Sequence, residues 1–426
     1  MPGRHRTFYV ETLGCPKNQV DSDKLTGTLV SDGMAAVDTV EDADLVVVNT
    51  CAFIEEARQE SIDVVLALAD RTAAAAEIVV TGCMAERYGD ELALALPEVD
   101  AVAGFGVPVT LGRRPSAVAL PSFDLLNLPR PPATAPWAYV KVAEGCDKAC
   151  GFCAIPSFRG PQRSRSIEQI LTEVSQLVDG GVTEIVLVAQ DLASYGRDQG
   201  VGTRDIVPLV EAVAARVPWV RLLYLYPSDL TARLVEVIVA TGVPYFDLSL
   251  QHVSPTLLRR MRRWGDGDRF LRRITEIRAT APRAAFRSSF IVGYPGETED
   301  DHDQLLAFVE SARLDWCGFF AYSREDGTYA ADLDGAVPRP LVDERLAELR
   351  DRQDTITAVG RDDLVGEVVE VLVDRAGVAR SHREAPEIDG IITVPEHLEV
   401  GRLHQVRITG AEGPDSYAEP LVLAGR

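Results

Sequence analysis

Three cysteines within eight residues, Cys146-Asp147-Lys148-Ala149-Cys150-Gly151-Phe152-Cys153, constrain this chain more than any other stretch. The Cys-x3-Cys-x2-Cys spacing lets one loop wrap three thiolates around a metal centre. Structural zinc uses a closed set of four protein ligands, and no histidine lies within 80 residues of this loop. Three soft thiolates with one position left open suit a cubane iron–sulfur cluster, whose fourth iron is then free to chelate a small molecule. A zinc site completed by a distant cysteine, or three unrelated thiols, are the alternative readings.

The loop's surroundings say where the fold must place it. Between residues 137 and 359, six strand patterns alternate with helical ones: 137–142, 184–189, 219–225, 244–250, 286–292 and 315–321. Helices are expected at 166–179, 204–217, 229–241, 255–280 with a break at 265–267, 299–313 and 343–358. Six such units predict a partial (β/α)6 barrel, and folds of this type gather chemistry at the carboxyl ends of their strands. The cysteine loop follows the first strand. Gln190, Asp191, Tyr226, Gln251, His252, Gly293, Tyr322 and Ser323 follow later ones. Gly293-Tyr294-Pro295-Gly296-Glu297 lacks the Gly-Lys-Ser/Thr ending of a phosphate loop and reads as a tight turn. Cys317 lies among Trp316, Phe319 and Phe320 and is expected in the core, and His252 is read first as a buried structural histidine.

Residues 5–105 form an expected parallel α/β domain. Its strands at 8–13, 43–48 and 77–80 are each followed by a cysteine, Cys15, Cys51 and Cys83, with helices at 21–31, 54–70 and 85–96. Carboxyl ends of neighbouring parallel strands share one crevice. Three cysteines there predict a second three-thiolate site, although a single buried cysteine is ordinarily just a small apolar residue.

Seven prolines between Gly106 and Trp137 predict a semi-rigid linker, 106–136. Residues 360–426 carry short strands at 364–373, 390–394, 403–408 and 421–423, which predict a small antiparallel β-barrel. This last unit holds seven Arg and thirteen Asp or Glu, against a net charge of −22 for the whole chain. Binding a polyanion rests on phosphate neutralisation. Strong nucleic-acid affinity is therefore not expected, and a basic protein partner, or a purely structural role for the barrel, fits better. No run of about 18 apolar residues reads as a membrane span. The seven cysteines are odd in number, without an export signal, which argues for metal chemistry over disulfides and for a cytoplasmic setting.

With Phe152 before its last cysteine, the triplet resembles the signature of radical S-adenosylmethionine (SAM) enzymes, and the whole chain resembles the methylthiotransferases among them. Leu13-Gly14-Cys15-Pro16-Lys17-Asn18, Asn49-Thr50-Cys51-Ala52-Phe53-Ile54, Ala143-Glu144-Gly145-Cys146-Asp147, Ile155-Pro156 with Arg159-Gly160, and Gln251-His252 with Met261-Arg262-Arg263 carry the likeness. They are similar to the branch that modifies an aspartate of small-subunit ribosomal protein S-twelve; the other branch modifies an adenosine of tRNA. Asp23, Ala52 and Tyr294 depart from the commoner Glu, Gly and Phe, and none is an expected ligand.

The resemblance implies two 4Fe-4S clusters and SAM. Cys146, Cys150 and Cys153 would hold the cluster that cleaves SAM to a 5′-deoxyadenosyl radical. Cys15, Cys51 and Cys83 would hold the auxiliary cluster that presents the methylthio group to the radical formed at the aspartate β-carbon. Phe152, Gln190, Gln251 and Gly293 are expected to line the cofactor. Arg159, Arg163 and Arg165 form a basic run that would attract the target carboxylate or an acidic, flavodoxin-like reductant, unless it is only a solvated loop. It further implies a C-terminal unit similar to the TRAM module, a sulfur source and a reductant. A zinc-stabilised interaction protein is the competing non-enzymatic reading.

Overall fold

The computed structural model describes residues 6–73, 75–105, 124–199 and 206–421. Pro108, Pro115 and Pro121 of the expected linker, the first residues of the expected 204–217 helix, and Val422-Leu423 of the expected last strand lie outside them.

The first domain runs β1 (Thr7–Thr12), α1 (Pro16–Ser31), β2 (Ala35–Ala36), β3 (Leu45–Thr50), α2 (Glu55–Ala69), β4 (Glu77–Gly82), α3 (Cys83–Ala95) and β5 (Ala101–Ala103). Its sheet has the order β2-β1-β3-β4-β5, parallel throughout. β3 is central because Leu45-Val46-Val47-Val48 is apolar on both faces, and every residue of that strand is buried. The short edge strands β2 and β5 carry too little pattern to be read from sequence. α1 begins five residues earlier than expected, because Pro16 has the φ of a first helical turn and Cys15 takes the cap position.

The central domain contains β6 (Trp137–Lys141), a two-residue hairpin of β7 (Ala143–Glu144) and β8 (Arg163–Ser164) enclosing α4 (Ile155–Arg159), then α5 (Ile167–Asp179), β9 (Glu184–Val188), α6 (Val207–Ala214), β10 (Trp219–Leu222), α7 (Ala232–Ala240), β11 (Tyr245–Gln251), α8 (Pro255–Arg260), α9 (Gly267–Thr280), β12 (Ala285–Val292), α10 (Glu299–Ala312), β13 (Trp316–Ala321) and α11 (Arg339–Asp362). β10-β9-β6 and β11-β12-β13 are parallel sheets joined by a bridge between Leu225 and Leu248. The six strands thus make the expected open (β/α)6 half-barrel. Side chains pointing outward pack under the helices: Val140, Leu187, Leu222, Phe246 and Phe290 are fully buried against Val174, Leu209 and Ile274.

The concave face is sealed by the other two domains. Tyr139, Val186 and Tyr245 pack with Val20 of α1 and with Leu372 and Ala385 from the C-terminal unit. That unit is a closed five-stranded barrel of β14 (Val368–Arg375), β15 (Val378–Arg380), β16 (Ile392–Thr393), β17 (Leu403–Glu412) and β18 (Asp415–Pro420). The expectation of a purely antiparallel barrel needs correction, since β16 and β18 pair in parallel to close it. The barrel covers the amino ends of the half-barrel strands, where Glu184 sits between Arg221 (2.7 Å) and Arg380 (2.8 Å) and Thr183 donates to the Gly401 carbonyl.

The described part of the 106–136 segment is no free spacer. Leu126 is buried, and Arg130 pairs with Asp23 of α1 and donates to the Tyr139 carbonyl. Cys317 is only partly buried, at the edge of the core rather than within it.

Candidate active site between two cysteine trios

Each N-terminal cysteine emerges where the chain leaves a parallel strand. Cys15 follows β1 and caps α1, Cys51 follows β3, and Cys83 opens α3 directly from β4. Backbone geometry brings them together. Gly14 has φ +99°, and a Cβ there would lie 2.9 Å from Cys51 Cβ and 3.1 Å from its Sγ. Gly82 has φ +92°, and a Cβ would lie 2.2 Å from Asn49 Oδ1. Only glycine fits either turn.

Burial, together with the neighbouring Cys15 and Cys83 sulfurs, pushes the Cys51 thiol up to about 12. Burial also raises Cys83, with Arg159 opposing it. At Cys15 burial favours the neutral thiol, but Lys17, the Asn18 N–H and Arg159 prevail and hold it below the ordinary range. Burial thus keeps the protons on Cys51 and Cys83 until a metal centre displaces them, while Cys15 loses its proton the most readily of the three.

The second trio lies in the loop between β7 and β8. Cys146 N–H donates to the Gly160 carbonyl (3.1 Å), and Gly145, at φ +79°, sits where a Cβ would meet the Pro161 carbonyl oxygen at 2.2 Å. Gly151 donates to the Met261 carbonyl and accepts from Ala330 N–H, which fixes the loop to the end of α8. Burial pushes Cys146 up to about 11, with Asp191 and Cys150 adding to it, and Cys153 up to about 12, with Cys150 and Cys146 adding to it. Arg263 donates to Cys150 Sγ at 3.3 Å.

One side chain links the trios. Arg159, at the end of α4, is 5% exposed. It donates to Cys83 Sγ (2.9 Å), Asn18 Oδ1 (3.0 Å), Asp21 Oδ2 (3.0 Å) and Glu144 Oε2 (3.1 Å). Glu144 also accepts from Lys141 Nζ (2.5 Å), from Gln190 Nε2 (2.8 Å) and from the Gly145 N–H leading into Cys146. Burial alone would protonate it, but Arg159 and Lys141 hold it well below the usual carboxylate range. For Arg159 and Arg165 the expectation of a solvent-facing basic run is overturned here. Arg159 is spent inside this network, and Arg165, 2% exposed, on Glu173 and the Lys141 carbonyl. A buried guanidinium needs paired carboxylates, and those come from three elements, Asp21 on α1, Glu144 on β7 and Glu173 on α5.

Of the other expected residues, Gln190 is tied to Glu144 and keeps a buried amide oxygen without a partner among the described residues. Phe152 packs partly buried against the core, and Gln251 ends β11 with φ +70°. Gly293 is required by packing, since a Cβ would strike Val342 at 2.4 Å, and its N–H is taken by Glu297. His252 is fully buried, accepts from Ser254 N–H at 3.0 Å, and is lowered to about 4 by burial. Its burial and low basicity fit the structural reading, and its Nε2 has no partner among the described residues.

Among the described residues, no three Cys, His, Asp or Glu side chains close on a point as they would around a single ion. The donor set nevertheless fits two iron–sulfur clusters. All six cysteines are free thiols, each trio is mutually coupled, and each is bordered by a glycine that no larger residue could replace. Asn18 and Glu144 lie in stretches that carry the family likeness, but their part in this network, like that of Asp21 and Lys141, escaped sequence reasoning. The signal that could have found them was their place within a few residues of the cysteines.

The match to known proteins follows this division. Residues 7–104 match Uncharacterized protein family UPF0004, 140–309 the Radical SAM superfamily, and 365–421 the TRAM domain. Among solved structures, the radical S-adenosylmethionine methyltransferase TsrM from Kitasatospora setae superposes with a TM-score of 0.51 at 14% identity, over 77% of this chain and 74% of that one. The half-barrel with its cysteine loop is thus the radical SAM fold. Ribosomal protein uS12 methylthiotransferase RimO from Kineococcus radiotolerans is 41% identical over 99% of both chains, and that from Moorella thermoacetica 42% identical over 90% of this chain and 92% of its own. The chain belongs to the ribosomal protein uS12 methylthiotransferase RimO family.

Proposed function

We propose that this chain transfers a methylthio group to the β-carbon of an aspartate in small-subunit ribosomal protein uS12. The observation that carries the reading is the Arg159 bridge, which joins a cysteine trio at the mouth of a radical SAM half-barrel to a second trio on the neighbouring domain. Cys146, Cys150 and Cys153 would hold one 4Fe-4S cluster, and Cys15, Cys51 and Cys83 the other. Bound there with SAM, these groups supply the electron, the 5′-deoxyadenosyl radical and the methylthio group, chemistry that no side chain offers.

The protein's own part is positional. Gly145 lets the loop turn tightly against Pro161, the Glu144 and Arg159 pair sets the spacing of the two trios, and the buried Gln190 oxygen remains free to accept a hydrogen bond from a ligand. The acidic C-terminal unit suits a basic ribosomal protein and disfavours strong nucleic-acid binding. An external one-electron reductant, such as a flavodoxin-type protein, and a source of sulfide complete the reaction, which we place in the cytoplasm. No helix among the described residues is long and apolar enough to cross a membrane.

The test is to incubate anaerobically reconstituted enzyme, SAM, a one-electron reductant and sulfide separately with uS12 and with tRNA, and to read masses. A methylthio increment on uS12 is expected. An increment on tRNA alone transfers the enzyme to the tRNA-modifying branch. A colourless, zinc-containing protein without iron or sulfide would defeat the radical reading altogether.

A further inference from the structure

The chain has only four lysines among its 43 basic residues, at positions 17, 24, 141 and 148. Three are neutralised by carboxylates. Lys24 pairs with Glu173 (2.8 Å), Lys141 with Asp21 (2.9 Å) and Glu144 (2.5 Å), and Lys148 with Asp229 (2.8 Å). Lys17, two residues beyond Cys15, has no carboxylate partner among the described residues. Its Nζ lies 3.4 Å from the centroid of the Tyr224 ring.

Tyr224 is held there at a cost. Its φ is +65°, a left-handed conformation that a bulky residue rarely adopts, and its N–H is fixed by Asp247 Oδ2 at 2.9 Å. Such strain persists where the surroundings over-determine it, and it concentrates at functional positions. A ring face attracts an ammonium but does not neutralise its charge, and an ammonium carries three N–H donors. Lys17 therefore stands partly buried beside the N-terminal trio, its field acting on the Cys15 sulfur, with no carboxylate partner among the described residues and donors to spare.

Four other cations of the mouth are committed. Arg159 is spent on Asp21 and Glu144, Arg58 and Arg87 converge on Glu325 at 2.6 Å each, and Arg263 reaches Cys150 Sγ while stacking on Tyr226. An aspartate brought to this mouth carries a negative charge, and burying that charge unpaired is costly. The carboxylate carbon is bonded to the β-carbon at about 1.5 Å, so holding the carboxylate fixes the reacting carbon.

We propose that Lys17 binds the side-chain carboxylate of the target aspartate and thereby selects an aspartate beside the Cys15, Cys51 and Cys83 trio. This assignment rests on the substrate reading above. Lys17 is then a specificity-determining residue, and Tyr224 the platform that aims it.

The test compares cluster-loaded wild type, Lys17→Met and Lys17→Arg for binding to uS12 and to a uS12 variant with asparagine at the target position, by fluorescence anisotropy. Wild type is expected to prefer the aspartate form about tenfold or more, the worth of a charge-assisted hydrogen bond. Lys17→Met should bind both forms alike, and Lys17→Arg should keep the preference. Because the preference is a ratio within each protein, an inactive fraction does not change it. Full discrimination by Lys17→Met, or none by wild type, overturns the proposal. A wild type that leaves uS12 without a methylthio increment overturns the substrate reading first, and the Lys17 assignment with it.

Discussion

At the scale of single residues, the six cysteines divide into two trios that should be separable. Replacing Cys51 with Ala is expected to lower bound iron and abolish methylthio transfer while 5′-deoxyadenosine is still formed from SAM. Replacing Cys150 with Ala should abolish both. Chromatographic assay of 5′-deoxyadenosine beside mass spectrometry of uS12 checks the pair, and loss of SAM cleavage in a folded Cys51→Ala enzyme would contradict the division of labour. His252 makes a different prediction. Burial lowers its pKa to about 4, so the unfolded chain, at about 6.5, takes up the proton more readily. Stability is then fully present above about pH 6.5 and falls as pH drops towards 4, by about 3 kcal/mol at most. Urea midpoints measured across that window should fall less steeply for His252→Gln than for wild type.

At the scale of elements, the loop between β7 and β8 has little regular structure of its own, and is held by backbone contacts at its base. Gly145→Ala would drive a Cβ into the Pro161 carbonyl and strain a positive φ. We expect this variant to fold with its N-terminal trio intact, to bind about half the iron of wild type on a two-cluster count, and to form no 5′-deoxyadenosine. Wild-type iron content would show that the hairpin tolerates the change. The elements most readily read from sequence were those with long periodic patterns. The helix break expected at residues 265–267 was visible because Gly265 and Gly267 punctuate it; α9 does begin at Gly267, but α8 ends earlier, at Arg260, so the break is longer than expected. β2, β5, β15 and β18 were missed. They are short or polar, and their strand character comes from partners found only in the folded chain.

At the scale of the whole molecule, the half-barrel is an incomplete ring that two other domains finish. α1 packs on the β6 side, bringing Asp21 to Lys141 and Arg159, and the C-terminal barrel plugs the amino ends of the strands. Glu184 is the hinge of that second contact. It is completely buried, and Arg221 and Arg380 hold it ionised against the burial that would protonate it. Glu184→Leu would leave two guanidinium groups without their shared carboxylate. The cost expected for breaking a buried pair in this way is about 3–5 kcal/mol, measurable as a lowered unfolding midpoint and as faster proteolysis near residues 362–368. This barrel sits at the end of the strands opposite the cysteine loop, so its acidic surface lies away from the reacting centre.

Cysteine spacing, strand-end position and charge are local properties, and from them the three-domain plan, the grouping of the cysteines and the expectation of a basic partner could be read in the sequence alone. What Arg159, Arg165 and Lys17 do could not be read that way. A basic residue in a loop is a solvated charge or a buried bridge according to whether carboxylates meet it. Those carboxylates, Asp21, Glu144 and Glu173, arrive from three different elements. Only the packing of α1 against the half-barrel decided that Arg159 would join the two sites, and that Lys17 would meet an aromatic ring and, among the described residues, no carboxylate.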